Sequence, residues 1–212
     1  MKKRNPFAFD PEEALRHLRA GDPLLAALID RHGPFAMEPT RAKSLFEALL
    51  RSIVYQQLHG KAAASILARV LARLKARGRS LQLHEAIAQC SDEELRQAGL
   101  SRNKLLAVRD LHAKCLDGTV PTLREAREIA DEELIARLTQ VRGIGPWTVH
   151  MLLIFHLGRP DILPTGDFAI RLAFKNLYGK RRDPTPAMII KHARRWQPYS
   201  SVASWYLWRS LD

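Results

Sequence analysis

Sulfur ligands are scarce in this chain: Cys90 and Cys115 are the only cysteines among 212 residues, and neither belongs to a CxxC pair. That argues against a secreted disulfide framework, a cysteine-built zinc site and an iron–sulfur cluster, and it fits a reducing compartment. The eight histidines contain no HxxxH pair, so a catalytic transition metal is not expected. No apolar run approaches the length of a membrane span, and no membrane association is expected. The basic start Met1-Lys2-Lys3-Arg4-Asn5-Pro6 leads into Phe7-Ala8-Phe9-Asp10-Pro11 rather than a long apolar core, so no signal peptide is expected either. Acidic residues are the remaining shortage. Asp and Glu number 22 against 34 Lys and Arg, a formal charge of +12 that favours a polyanionic partner such as nucleic acid, with anionic membranes as the other attractive surface. No low-complexity tail carries the excess. It is spread over Arg69, Arg73, Lys75, Arg77 and Arg79, over Arg171, Lys175 and 180–182, and over Lys191, Arg194 and Arg195. Any one of these runs, taken alone, reads as a solvated face.

What the chain does contain is an ordinary folding composition, 46% hydrophobic and 26% charged, sufficient to bury a core in one globular unit or two lobes. Its apolar residues recur with helical spacing. From Thr40 onward Leu45, Phe46, Leu49, Leu50, Ile53 and Val54 form one stripe; Ala63, Ile66, Leu67, Val70, Leu71 and Leu74 form another, between Gly60 and a stop at Gly78. Ser91 followed by Glu94 is a capping-box pattern, 105–116 reads as helix up to the breaker Asp117-Gly118-Thr119-Val120-Pro121, and Asp131-Glu132-Glu133 opens a further helix with its acidic end at the positive pole. After a Pro- and Gly-rich stretch at 159–166, helices are expected over 168–178, 186–196 and 199–211. Strict alternation of apolar and polar residues is absent, so the expected class is all-α.

One segment carries more information than the rest. Leu138-Thr139-Gln140-Val141-Arg142-Gly143-Ile144-Gly145-Pro146-Trp147-Thr148 joins a helix to a second apolar helical run through two glycines. A hairpin of that kind bares successive N–H groups beside a helix N-terminus and can hold a phosphate oxygen without any side chain, which would position a duplex without reading its sequence. Pro146 suits the first turn. Taken alone, Gly143 and Gly145 read as a tight turn between packed helices. Their company is a basic chain, Trp147 at the head of the second helix, and Asp167 farther along.

In that company Val141-Arg142-Gly143-Ile144-Gly145-Pro146-Trp147-Thr148 resembles the hairpin signature of the helix-hairpin-helix DNA glycosylase superfamily, and Leu163-Pro164-Thr165-Gly166-Asp167 resembles its following loop and catalytic Asp. The branch it is most similar to is the alkylation-repair, or 3-methyladenine DNA glycosylase II, group. The similarity runs from about Ser44 to Arg209 and takes in Ile53-Val54-Tyr55-Gln56-Gln57-Leu58, Trp196-Gln197-Pro198-Tyr199 and Tyr206-Leu207-Trp208-Arg209. It implies two helical subdomains, 42–159 containing the hairpin and 1–41 plus 160–212, with double-stranded DNA bearing a damaged base in the cleft between them. The β-rich N-terminal domain of some relatives is expected to be missing. A monomer is the expected acting form, and the cytoplasm, at the nucleoid in a prokaryote, the expected place.

The resemblance implies a mechanism. A stacked base is out of reach, so the nucleotide must be flipped into a pocket while something fills the gap. The family's wedge loop matches Gln57 and Leu58, which otherwise read as ordinary helix-end residues with Leu58 in the core. An alkylated purine is cationic and leaves readily, so a π-rich pocket matters more than a strong acid. Trp147 is the first choice for stacking, with Phe168 another wall or else a core residue, and Trp196 and Tyr199 weaker candidates. Met151, one turn after Trp147, stands where some relatives carry an aromatic residue. Asp167 would stabilise oxocarbenium-like charge on the sugar or orient the attacking water, although by position it is also a helix N-cap. Asp161 is the alternative carboxylate, expected to be structural. Trp147 occupies the place where lyase members carry the Schiff-base Lys, so excision should be monofunctional and leave an abasic site; a noncatalytic lesion-binding protein and a bifunctional glycosylase/lyase are the competing readings. Gly143, Gly145 and Thr148 are the expected phosphate contacts. No cofactor is expected to be required, and a structural Na+ or K+ would match the main-chain carbonyls of Thr139, Val141 and Ile144. Ser200, where relatives often have Arg, is assigned no role.

Overall fold

A carboxylate and a proline open the first two helices. α1 (Pro11–Gly21) follows Asp10, whose side chain accepts the Glu12 N–H at 3.0 Å, and α2 (Pro23–His32) follows Asp22, whose side chain accepts the Leu25 N–H at 3.2 Å. Proline is tolerated in a first turn because the N–H it lacks would have no partner inside the helix. Periodicity assigns no element before Thr40, so both helices are additions, and Asp10-Pro11 and Asp22-Pro23 are the signals that mark them. The structure, a computed structural model, describes residues 7, 9–40, 42–77 and 82–212. The basic residues 1–6, Ala8, and the expected helix stop at Gly78 with Arg79 beside it lie outside the described residues.

The chain continues through α3 (Leu45–Tyr55), α4 (Gly60–Ala76), α5 (Leu83–Ala86), a 3₁₀ turn at Ile87–Gln89, α6 (Asp92–Gln97), α7 (Arg102–Leu116), α8 (Leu123–Glu128), α9 (Asp131–Leu138), α10 (Pro146–Phe155), α11 (Phe168–Leu177), α12 (Pro186–Ala193) and α13 (Ser200–Arg209). Among the described residues there is no strand, and the fold is all-α as the periodicity implies. The Ser91–Glu94 capping box forms, with the Ser91 N–H on Glu94 Oε2 at 2.7 Å and the Glu94 N–H on Ser91 Oγ at 3.1 Å. No helix of the described residues is long and apolar enough to cross a membrane.

Two compact units emerge, Met1–Thr40 with His150–Asp212, and Arg41–Val149. The later boundary falls inside α10 rather than near residue 159. Phe155 O accepts the Thr40 N–H at 2.7 Å, His156 Nδ1 sits 3.0 Å from Thr40 O, and the Phe155 ring lies 5.6 Å from that of Trp208, so the second half of α10 packs with the terminal segments.

In the Arg41–Val149 unit α3 packs on α4 and α7 and buries Leu49, Leu50, Ile53, Val70, Leu74, Val108 and Leu111 completely. Each such side chain contributes about 1.5–3 kcal/mol. In the other unit Leu18, Leu25, Ile29, Ile170, Phe174, Ile189, Trp196 and Tyr206 form the core. The end of α1 passes so close to the backbone of Arg195 that a Cβ on Gly21 would stand 2.9 Å from the Arg195 carbonyl, which excludes a larger residue there.

One carboxylate lies inside this core. Asp22, 2% exposed, accepts Tyr178 Oη at 2.7 Å, Trp196 Nε1 at 3.0 Å and the Leu25 N–H, and its Oδ2 lies 2.9 Å from His192 Nε2. Burial alone would raise its pKa; the hydrogen bonds from Tyr178, Trp196, His192 and Leu25 together outweigh burial and hold it below the ordinary 3.8. A carboxylate depressed in this way contributes stability that is present above the unfolded value and lost as pH falls through the folded one. Asp22→Asn turns an amide N–H₂ toward donors. Urea unfolding at pH 7 should show a loss of about 2–4 kcal/mol, narrowing as the pH is taken below the unfolded carboxylate range.

Candidate functional site

The turn after α3 is unusual in its backbone. Gln56 closes the helix at φ −55° and ψ 129°, and Gln57 then adopts φ +57°, the one non-glycine residue among those described with positive φ. Such a conformation costs roughly 1–2 kcal/mol for a residue with a Cβ and persists only where its surroundings impose it. They do so here. Lys104 of α7 places Nζ 2.7 Å from Val54 O and 2.9 Å from Gln56 O, satisfying carbonyls that α3 cannot pair internally. Burial lowers the Lys104 pKa from its usual value. The turn therefore presents Gln57 and Leu58 outward: Leu58 is 39% exposed and is not a core residue.

The glycine hairpin lies between α9 and α10. Val141 N–H meets Leu138 O at 3.2 Å, Ile144 N–H meets Val141 O at 3.0 Å, and Val149 N–H meets Gly145 O at 3.2 Å as α10 begins. Val141 and Ile144 are buried anchors, with Arg142 and Gly143 exposed between them. Gly143 has φ +78°; Gly145 has no positive φ, and a Cβ there would meet nothing within 4 Å, so only the first glycine is demanded by conformation. Two side chains from elsewhere in the unit grip this hairpin. Asp110 Oδ2 accepts the Arg142 N–H at 2.7 Å, and Gln56 Nε2 donates to Gly143 O at 2.7 Å. Trp147, in the first turn of α10, has 52% of its surface exposed, whereas Thr148 beside it is 9% exposed. Met151 follows one turn on, half-buried.

In the other unit the Pro-rich loop is pinned to the start of α13. The Ser201 N–H donates to Pro160 O at 2.9 Å, Ser201 Oγ accepts the Ile162 N–H at 2.9 Å, and Asp161 Oδ1 accepts the Ser200 N–H at 3.2 Å. Asp161 is thus a structural carboxylate, and Ser200 is buried at the joint. The same loop delivers Asp167, half-buried at the head of α11, where its Oδ1 accepts the Ile170 N–H at 3.0 Å and lies 3.5 Å from Trp208 Nε1. Asp167 is an N-cap, and that role orients it. Phe168 beside it is 75% exposed and has no place in the core.

One expected pocket aromatic is corrected. Trp196 is completely buried, its Nε1 on Asp22 and its ring 6.2 Å from that of Phe174, so it packs the core and cannot stack on a base. Tyr199 is half-buried, its ring 5.4 Å from His17 and 6.0 Å from Phe9, and part of its surface stays exposed. Sequence reasoning assigned no role to Lys104, Asp110, Gln56 or Trp208. Gln56 and Trp208 stand within the resembling stretches; nothing in the sequence marks the other two.

Residues 50–198 match the family described as the HhH-GPD superfamily base excision DNA repair protein. The chain is 37% identical over 168 residues to DNA-3-methyladenine glycosylase 1 of Schizosaccharomyces pombe, covering 79% of this chain and 73% of that one. Among solved structures it is similar to a DNA-3-methyladenine glycosidase from Bacillus halodurans, with TM-score 0.83, 34% identity and coverage of 93% and 88% of the two chains. It is also similar to the S. pombe 3-methyladenine glycosylase in complex with abasic DNA, with TM-score 0.74, 35% identity and coverage of 93% and 96%.

The contrast between the two hairpin glycines is measurable. Gly143→Ala should lower thermal stability by about 1–2 kcal/mol because an L residue is strained at that φ. Gly145→Ala should stay within about 0.5 kcal/mol of the parent in the same melting experiment.

Proposed function

We infer the function from one premise, that the chain belongs to the HhH-GPD superfamily of base excision DNA repair proteins. It is a DNA glycosylase that excises alkylated bases of the 3-methyladenine type by hydrolysing the N-glycosyl bond. The likeness to named 3-methyladenine glycosylases along most of the chain carries this reading. The geometry adds an oriented carboxylate, exposed aromatic surface and an open glycine hairpin.

Double-stranded DNA is the substrate, held through its phosphates by main-chain N–H groups of the hairpin and of the first turn of α10. Gln57 and Leu58, outward on their strained turn, fill the gap left when the damaged nucleotide leaves the stack. Trp147 and Phe168 offer exposed rings, and a cationic alkylated purine is favoured on such a ring by roughly 0.5–2 kcal/mol over a neutral base. Met151 adds a soft, adaptable surface one turn from Trp147. As the bond from C1′ to the base nitrogen breaks, the base keeps the electron pair and positive charge grows on the sugar. Asp167 stabilises that charge or takes the proton of the water whose oxygen then bonds to C1′. The products are the free base and an abasic site. With Trp147 and no Lys at the start of α10, no Schiff base forms and the strand stays intact.

No cofactor is needed for these steps. A Na+ or K+ would suit the main-chain carbonyls of Thr139, Val141 and Ile144, which are hard oxygen donors; Val141 O already accepts the Ile144 N–H and keeps one lone pair for an ion. Such an ion would supply positive charge near a bound phosphate. One chain carries every group named, which supports a monomer as the acting form, at work wherever the DNA lies.

The test is base release from alkylated duplex by the parent and Asp167→Asn, with hot alkali revealing abasic sites. Asn keeps the N-cap bond, so the variant should fold and bind DNA while releasing bases at least about 100-fold more slowly. Retained release would remove Asp167 from the chemistry. Borohydride trapping of a covalent adduct would favour a lyase, and no release across a broad lesion panel a noncatalytic lesion binder. Affinity should also fall steeply with added salt, since phosphate neutralisation releases counterions.

A further inference from the structure

Gln56 is held at both ends. Its main-chain carbonyl accepts Lys104 Nζ at 2.9 Å, and its side-chain Nε2 donates to Gly143 O at 2.7 Å. It immediately precedes the turn that presents Gln57 and Leu58, and Gly143 is the glycine at the tip of the phosphate hairpin. The partner of the preceding hairpin residue, Arg142, is Asp110, which stands on α7, the helix that also carries Lys104. Ala107, between them, comes within 3.8 Å of where a Cβ on Gly143 would be. The turn and the hairpin, remote in sequence, are thereby referred to one helix and to each other, through hydrogen bonds that involve no DNA.

We propose that Gln56 and Asp110 are positioning residues that couple phosphate capture by the hairpin to insertion of the Gln57-Leu58 turn, so that a duplex seated on the hairpin meets the wedge already at the right distance. The proposal rests on the glycosylase reading. Grip on undamaged duplex depends on the amides of the hairpin and of the first turn of α10, whereas extrusion of a nucleotide depends on hairpin and wedge acting at a fixed separation. Loss of either link should then lower extrusion and leave plain duplex binding almost untouched. A rigid supporting shell around a site has this signature, because loosening it by a fraction of an ångström spares contact and spoils timing of the step that needs two contacts at once.

The measurement uses the full chain and a duplex carrying a tetrahydrofuran abasic analogue beside 2-aminopurine, whose fluorescence rises on unstacking. Single-turnover release of an alkylated base is followed in parallel. Gln56→Met fills the volume without the donor, and Asp110→Ala removes the acceptor. Each should lower the fluorescence rise and the single-turnover rate together by about fivefold to tenfold, with affinity for undamaged duplex within about twofold. Asp110→Asn, which keeps an oxygen for the Arg142 N–H, should restore both readings. Wild-type extrusion in either folded loss variant would overturn the proposal. So would a matching loss of undamaged-duplex affinity, which would assign these residues to the hairpin alone. If Gln56→Met does not fold, the Asp110 pair decides by itself. Because the fluorescence needs no chemistry, failure of the parent to release any base sinks the glycosylase reading and leaves the coupling to be judged on extrusion.

Discussion

A helix that stops leaves its last carbonyl groups without partners inside the helix, and in this protein one half-buried ammonium answers for α3. Lys104 reaches from α7 to the carbonyls of Val54 and Gln56, and burial of that charge, which depresses its pKa, is offset by the two acceptors. Much of the Arg41–Val149 unit's surface chemistry follows. With Gln56 fixed, Gln57 is driven into a left-handed conformation that it would not adopt freely, Leu58 is turned outward, and the Gln56 amide meets the carbonyl of Gly143. The hairpin is in turn kept against α7 by Asp110. α7 thus supports two exposed turns that no segment of local sequence connects.

The other unit uses carboxylates in two ways. Asp22 sits in the core and engages Leu25, Tyr178, His192 and Trp196, so its charge is spent on joining α2 to α11, α12 and the residues after α12. Asp167 is half-buried and held in place by the first turn of α11 and the indole N–H of Trp208. The cap that stabilises α11 also fixes the orientation of Asp167, since the positive end of α11 and a fixed amide aim the carboxylate without enclosing it. Capping and the catalytic role proposed for Asp167 are compatible at this position.

Local signals were read well where the physics is local. Helical periodicity located α3, α4 and α7, the Ser91 capping box formed, and Gly143 adopts the positive φ that its place in the hairpin suggested. The N-terminal pair α1 and α2 escaped a search for apolar stripes although each begins with a carboxylate–proline cap. Aromatic residues were the weakest ground. Trp147 and Trp196 are chemically identical, and Phe168 and Phe174 nearly neighbours, yet one of each pair is exposed and the other is core.

The order of residues therefore determined by itself the helical class, the basic character, the glycine hairpin and the carboxylate at the head of α11, because each depends on spacing within a few residues. Only the tertiary structure decided that Trp196 belongs to packing, that the division of the chain falls within α10, that Lys104 holds the end of α3, and that Asp110 and Gln56 brace the hairpin. The physical reason is that burial and long-range hydrogen bonds are settled by which elements meet, and the residues concerned are separated along the chain by whole helices with no periodicity to relate them.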